Sequence, residues 1–348
     1  MQFIPERLVS ARILKGFSLQ DLSERLGTLT KQSLHKYESG EVTPNKEVIS
    51  QIADILDVGI HFFFTPQRIE LSNPEFRKSI NFSSKDEYRI KEVTRLYLSN
   101  YLELEEIIGL ATDFHNPLEH IRPVTGIEAI NHATELLRTS WGIGTDPIPS
   151  VVNLLEENNI KIVEVEADDD FDGMQARVND KFPVIVINKN KKKTDDRKRF
   201  TILHELGHAL LHLDHLPLAQ REKLCNQFAS AMLFPQVAMR KELGTFRNRI
   251  HLHEFGALKK QYGVSIQAMI MRAKDLSIIS ENYCKVLFSY IRQQGWKVDE
   301  PYSFVGNENL GRFEQLLYRA LIEKLISIEK AAILSNKTVD EFSSELFL

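Results

Sequence analysis

The segment Phe200-Thr-Ile-Leu-His-Glu-Leu-Gly-His208 constrains the fold of this chain more tightly than any other stretch. Its two histidines are four positions apart, and on a helix such positions share one face about one turn apart. A helix therefore lets His204 and His208 point both rings at one ion. Glu205 is rotated onto the adjoining face, where its carboxylate can take a proton from an attacking water. That is the logic of H-E-x-x-H in metal-dependent hydrolysis. A purely structural pair of histidines would have no use for Glu205.

Such a centre needs a third protein ligand and one open position. Glu222 opens Glu222-Lys-Leu-Cys-Asn-Gln-Phe-Ala229, a helical pattern with Leu224, Phe228, Met232 and Leu233 on its buried side. A glutamate facing that side is costly unless it is paired or coordinated. It follows the motif after one short loop, as ligands on antiparallel helices require. His212 competes, but it is eight positions from His204, about 12 Å away by helix rise. His215, in a loop before Pro217, stays open as a second choice. Asn226, one turn after Glu222, can orient a ligand or simply cap or pack. Cys225 reads as a small packing residue rather than a reactive thiol. His251, His253, Tyr262 and Arg199 all remain open as oxyanion stabilisers.

The chain has 348 residues, enough for two or three units with ordinary cores. A net charge of −4 gives no global attraction to nucleic acid, so any such contact must come from a local patch. Cys225 and Cys284 are the only cysteines, too few for a disulfide framework or a cysteine-built zinc site. No signal peptide and no bilayer-spanning apolar run is read, which leads us to expect a cytoplasmic protein without membrane contact.

A local basic patch is present at the start. Residues 1–65 read as four or five short helices with the rhythm of a helix-turn-helix domain. Ser18 and Asp21 suggest a capping box, Thr30 a cap for Lys31–Glu38, and Thr43-Pro44 the start of a fourth helix. Thr30, Lys31, Gln32, Ser33 and Lys36 fall where the second helix of such a motif meets base edges and phosphates. Residues 66–125 read as a linker holding one long amphipathic helix, Ser84 to Gly109, with Ser84 and Glu87 as its capping box. Packing on a neighbouring domain and homodimerisation both fit its Ile90, Val93, Tyr97, Tyr101, Leu104 and Ile108 stripe. Residues 126–280 alternate helix and strand patterns, and 281–348 read as helical. The expected class is α+β, with an all-α N-terminal domain, an α+β middle and a helical C-terminal region.

The run Arg197-Lys-Arg-Phe-Thr-Ile-Leu-His-Glu-Leu-Gly-His, followed by Glu222-x-x-Cys-Asn226-x-Phe-Ala and Pro235, resembles the ImmA/IrrE metallopeptidases. Trp141-Gly, Pro147-Ile-Pro and the strand ahead of Gly173 agree with it. The family's E-x-x-A-N glutamate ligand maps onto Glu222, with Cys225 in place of alanine. Tyr37-Glu38-x-Gly40 and Pro44 resemble the XRE (Cro/repressor-like) helix-turn-helix spacing, although the turn at Gly27–Thr30 is a residue longer than usual. The resemblance implies a gluzincin-like α+β fold and Zn2+, or another divalent ion such as Mn2+. It also implies limited proteolysis of a helix-turn-helix repressor, releasing stress-response or mobile-element genes. In this class a rim strand pairs with the substrate, and Val184–Asn188 is the candidate for that strand or its neighbour, with a buried central strand as the alternative.

Two functional expectations follow. In one, the chain binds a double-stranded DNA operator and cleaves a repressor-type protein, with Glu205 catalytic and His204, His208 and Glu222 holding the metal. In the other, it is an XRE-type regulator or antitoxin whose metal centre is a sensor or silent.

Overall fold

The computed structural model describes residues 2–78, 82–110, 113–189 and 194–346. Part of the charged run read at 189–199 lies outside these residues. The chain begins with α1 (Pro5–Leu14), α2 (Leu19–Leu26), α3 (Lys31–Glu38), α4 (Lys46–Leu56) and a 3-10 turn (Ile60–Phe64). Then come β1 (Leu71–Lys78), α5 (Ser84–Ile108), α6 (Gly126–Ser140), α7 (Val151–Glu157), β2 (Lys161–Val165), β3 (Phe171–Val178) and β4 (Phe182–Asn188). Next are α8 (Asp195–Leu210), α9 (Leu218–Leu233), α10 (Gln236–Leu243), α11 (Leu252–Tyr262), α12 (Ile266–Asp275) and α13 (Glu281–Gln293). The chain closes with α14 (Arg312–Ile322), α15 (Ile328–Leu334) and α16 (Val339–Glu345). This is the expected class: a helical start, a mixed middle with a four-stranded sheet, and a helical end.

The chain divides into two compact units. The first comprises Met1–Leu71, Ser79–Leu110 and Arg319–Leu348, and the second Ser72–Lys78 and Ala111–Tyr318.

In the first unit, Leu8, Leu22, Leu34, Ile52 and Phe63 form the fully buried centre of the short-helix bundle. Each such side chain contributes about 1.5–3 kcal/mol by leaving water. The caps explain where these helices begin. Ser18 and Asp21 form the reciprocal capping box, and Thr30 accepts from the Ser33 amide at 3.2 Å. The fourth helix starts later than the Thr43-Pro44 reading. Asn45 is its cap and accepts from the Val48 amide at 2.9 Å, a stronger local option than Thr43. The cap of α5 is likewise Ser83 rather than Ser84, its hydroxyl accepting from the Asp86 amide. The buried residues of α5 include Ile90, Leu98, Tyr101 and Leu104, and it packs against α1 and α15 within its own unit. Asn100 donates to the Leu334 carbonyl and Lys330 pairs with Glu103, tying α15 to this helix.

In the second unit the sheet order is β1-β3-β4-β2. β2 and β4 are parallel, with Lys161 opposite Val184, and β3 and β4 are antiparallel, with Gly173 opposite Ile187. Every residue of β4 is buried. An unbroken apolar run suits a strand paired on both edges and covered on its faces. Residues 184–188 are therefore the buried central strand left open above, and β4 also neighbours the outer strand β2. Residues 71–78 lie in the stretch read as a linker. They form the edge strand beside β3. Pro74 fits an edge because it has no N–H to give to a ladder.

Helix α8 lies against β3 and β4 and packs along α9. Gly207 sets their separation. A Cβ there would meet the Cys225 Cα and Sγ and the Phe228 ring at 3.3 Å. Among the described residues, no helix is long and apolar enough to cross a membrane.

Candidate metal centre and nucleic-acid interface

His204 and His208 lie on α8 one turn apart, with Nε2 atoms 3.1 Å from each other. Glu222, in the second turn of α9, reaches both: Oε2 is 3.3 Å from His204 Nε2, and Oε1 is 3.1 Å from His208 Nε2. The three side chains form the one group of potential ligands found among the described residues. His215 is exposed and outside it, and His212 stands beside the Arg122 guanidinium at 3.0 Å.

These spacings fit a bound ion. Tetrahedral ligands at 2.0–2.1 Å from a zinc lie about 3.4 Å from one another. Asn226 presents Oδ1 to His204 Nδ1 at 2.9 Å. With Nδ1 donating there, Nε2 of a neutral ring is a bare lone pair. Burial holds His204 below the usual histidine range, which favours that neutral form. Lone pairs of two imidazoles and a carboxylate thus converge on one point, an arrangement a cation relieves.

Glu205 sits one residue along α8, 2% exposed. Burial pushes its carboxyl up to about 7. Its Oε1 is buried without a hydrogen-bond partner. The side chain fits because residue 173 of β3 is glycine. A Cβ there would lie 3.3 Å from Glu205 Cγ and Oε1.

Two residues that the sequence reading missed come from β1. Glu75 Oε2 is 3.6 Å from His208 Nδ1, and its other oxygen takes a hydrogen bond from Arg221 on α9. Arg77 lies close enough to act electrostatically on both His204 and Glu205. The signal was a two-residue alternation of charge, Glu75 and Arg77, inside an eight-residue stretch interrupted by Pro74.

The residues left open as oxyanion stabilisers have other surroundings. Arg199 is fully buried on Glu308, at 2.6 Å, and donates to the Ile148 and Pro149 carbonyls. Tyr262 stacks on Phe234, and His251 and His253 lie against each other at the start of α11. Burial pushes the Cys225 thiol up, as for an inert packing residue.

In the first unit, Lys31, Gln32 and Lys36 are exposed on α3, and Ser33 is half-buried. The Thr30 and Ser33 hydroxyls pair with each other at 3.0 Å at the start of that helix. An open pocket beside them is lined by Gln20 and Lys31 together with Lys85, Tyr88 and Arg89 of α5. The basic patch therefore extends beyond the two helices of the motif.

Residues 156–274 match the peptidase M78 family's IrrE N-terminal-like domain, and residues 8–63 match a helix-turn-helix family. The N-terminal region is also similar to the SPbeta prophage-derived uncharacterized HTH-type transcriptional regulator YonR of Bacillus subtilis (strain 168). The two are 37% identical over 57 residues, which are 16% of this chain and 52% of that protein. The chain thus spans about half the length of the curated relative it matches. It joins a DNA-binding helix-turn-helix module to an IrrE/ImmA-like, metallopeptidase-like domain.

Proposed function

We propose that this helix-turn-helix protein with an IrrE-like domain is a metal-dependent endopeptidase that cleaves a repressor-type helix-turn-helix protein. One observation carries the reading: His204, His208 and Glu222 converge at ligand spacing, with Glu205 buried beside them. The three side chains would hold Zn2+, or another divalent ion such as Mn2+, and leave one corner of the centre to solvent. When bound, such an ion polarises a scissile carbonyl and lowers the pKa of water toward neutrality. Glu205 takes the water's proton on Oε1 and later hands it to the leaving amine. Asn226 keeps the His204 ring turned so that Nε2 faces the centre. Asn226→Ala should cost about 10–100-fold in metal affinity, checked by competition with a chromophoric chelator.

The test is cleavage. Purified protein loaded with zinc is mixed with candidate helix-turn-helix proteins, including any encoded beside it, and fragments are read by mass spectrometry. Metal-dependent fragments support the reading, and an intact partner with the chain fully loaded opposes it. A second reading has one observation in its favour, the carboxylate of Glu75 set against His208. It makes the chain an XRE-type regulator or antitoxin with a sensing or silent centre.

The N-terminal unit would hold a double-stranded operator, with Thr30, Lys31, Gln32, Ser33 and Lys36 at base edges and phosphates and a homodimer spanning two half-sites. Lys85 and Arg89 would add phosphate contacts. Removing Lys31, Lys85 and Arg89 together should weaken all DNA binding and flatten the slope of log K against log salt by about 0.9 for each phosphate no longer neutralised. Gln32→Ala should instead relax discrimination at one base pair, by about 1–3 kcal/mol. Fluorescence anisotropy on operator and random duplexes separates the two outcomes. We place this activity in the cytoplasm, where operator and repressor would both be found.

A further inference from the structure

On the reading that an extended substrate pairs with the outer edge of β3, we propose that β1 of this same chain sits on that edge as a placeholder for substrate. The inference rests on the peptidase reading above.

β3 carries Gly173, whose Cα lies against the Glu205 side chain. A peptide paired with the free side of β3 would run beside Glu205 and the three ligands. β4 holds the other side of β3, so one edge remains, and β1 fills it. Side chains alternate along a strand. In β1 this alternation sends Phe76 to the Phe171 ring of β3, at 6.1 Å between centroids, and Glu75 to the metal centre. Glu75 thus occupies space beside His208 that an incoming chain would need.

β1 is also built to be released. Pro74 removes one ladder donor, and Asn73 has φ +50, a left-handed value that breaks a strand's course. Only Leu71 of its eight residues is buried, whereas all of β4 is. A strand with little buried surface opens at lower cost than the sheet it flanks. In the sequence, β1 lies between the helix-turn-helix module and α5. Events at the DNA end of the chain therefore have a covalent route to it.

Three measurements on the full-length protein test this. Hydrogen–deuterium exchange of the wild type should show β1 amides exchanging at least tenfold faster than those of β3 and β4. Equal protection of β1 and β4 would make β1 a permanent strand and overturn the proposal. A labelled peptide Leu-Ser-Asn-Pro-Glu-Phe-Arg-Lys, copying residues 71–78, should bind the Glu75→Gln/Phe76→Ala variant at least tenfold more tightly than the wild type. Equal binding, or binding to neither, would also overturn it. If the variant does not fold, the exchange data on the wild type decide alone. With zinc, the variant should cleave unfolded β-casein faster than the wild type. Peptide binding as expected, with neither protein cleaving β-casein or a helix-turn-helix repressor, would leave the docking edge standing and remove the peptidase reading. Equal cleavage by both would remove the placeholder and keep the peptidase.

Discussion

Glu205→Gln is expected to lower cleavage of the partner protein by about 10²–10⁴-fold, the usual contribution of a positioned acid–base group. Glutamine keeps the shape that fits against Gly173 but cannot accept and return a proton. The proposed ligands His204, His208 and Glu222 are untouched, so metal content should stay at the wild-type level. The helix-turn-helix unit is also untouched, and operator affinity should be unchanged. Single-turnover cleavage assays, metal analysis and anisotropy give the three readouts. Cleavage within tenfold of wild type would show that the proton passes elsewhere and would favour a non-catalytic role for the centre.

Glu308→Ala should produce the largest loss of stability in the second unit. The Glu308 carboxylate is completely buried against Arg199, and it also accepts from the Val151 and Val152 amides at the start of α7. Arg199 donates to two backbone carbonyls as well, so it cannot swing out to water without losing them. Alanine leaves a buried guanidinium without its counter-charge, which typically costs about 3–5 kcal/mol. For a unit of roughly 200 residues this corresponds to a fall in Tm of about 6–20 °C. Because Arg199 stands on α8 five positions before His204, we expect metal affinity to weaken in parallel. Differential scanning calorimetry in the presence and absence of zinc checks both. A shift below 3 °C would mean that the cavity relaxes or admits water around Arg199.

The contrast between these two sites shows what the sequence could reveal. The approach of His204 and His208 on α8 was legible because i and i+4 spacing is fixed by helix geometry alone. Glu222 was legible because a carboxylate on an otherwise apolar helix face demands a reason. The Arg199–Glu308 pair joins residues 109 positions apart, one of them in the irregular stretch before α14, and no local pattern announces it. β1 was hidden for a related cause. Its partner strand lies about a hundred residues away, and Asn73 and Pro74 break the alternation that would have marked it. β4 read equally well as rim or centre, because an apolar run reports burial but not neighbours. The helix starts were legible to within a residue or two, since several polar residues compete for each cap.

The claim on which the account depends is that His204, His208 and Glu222 hold one divalent ion. Elemental analysis of the purified protein after zinc loading and desalting tests it most directly, with His204→Ala/His208→Ala as the comparison. One ion per chain in the wild type, and less than a tenth of that in the variant with its fold intact, is the result we predict. An ion content that is negligible in the wild type, or equal in both proteins, would contradict it.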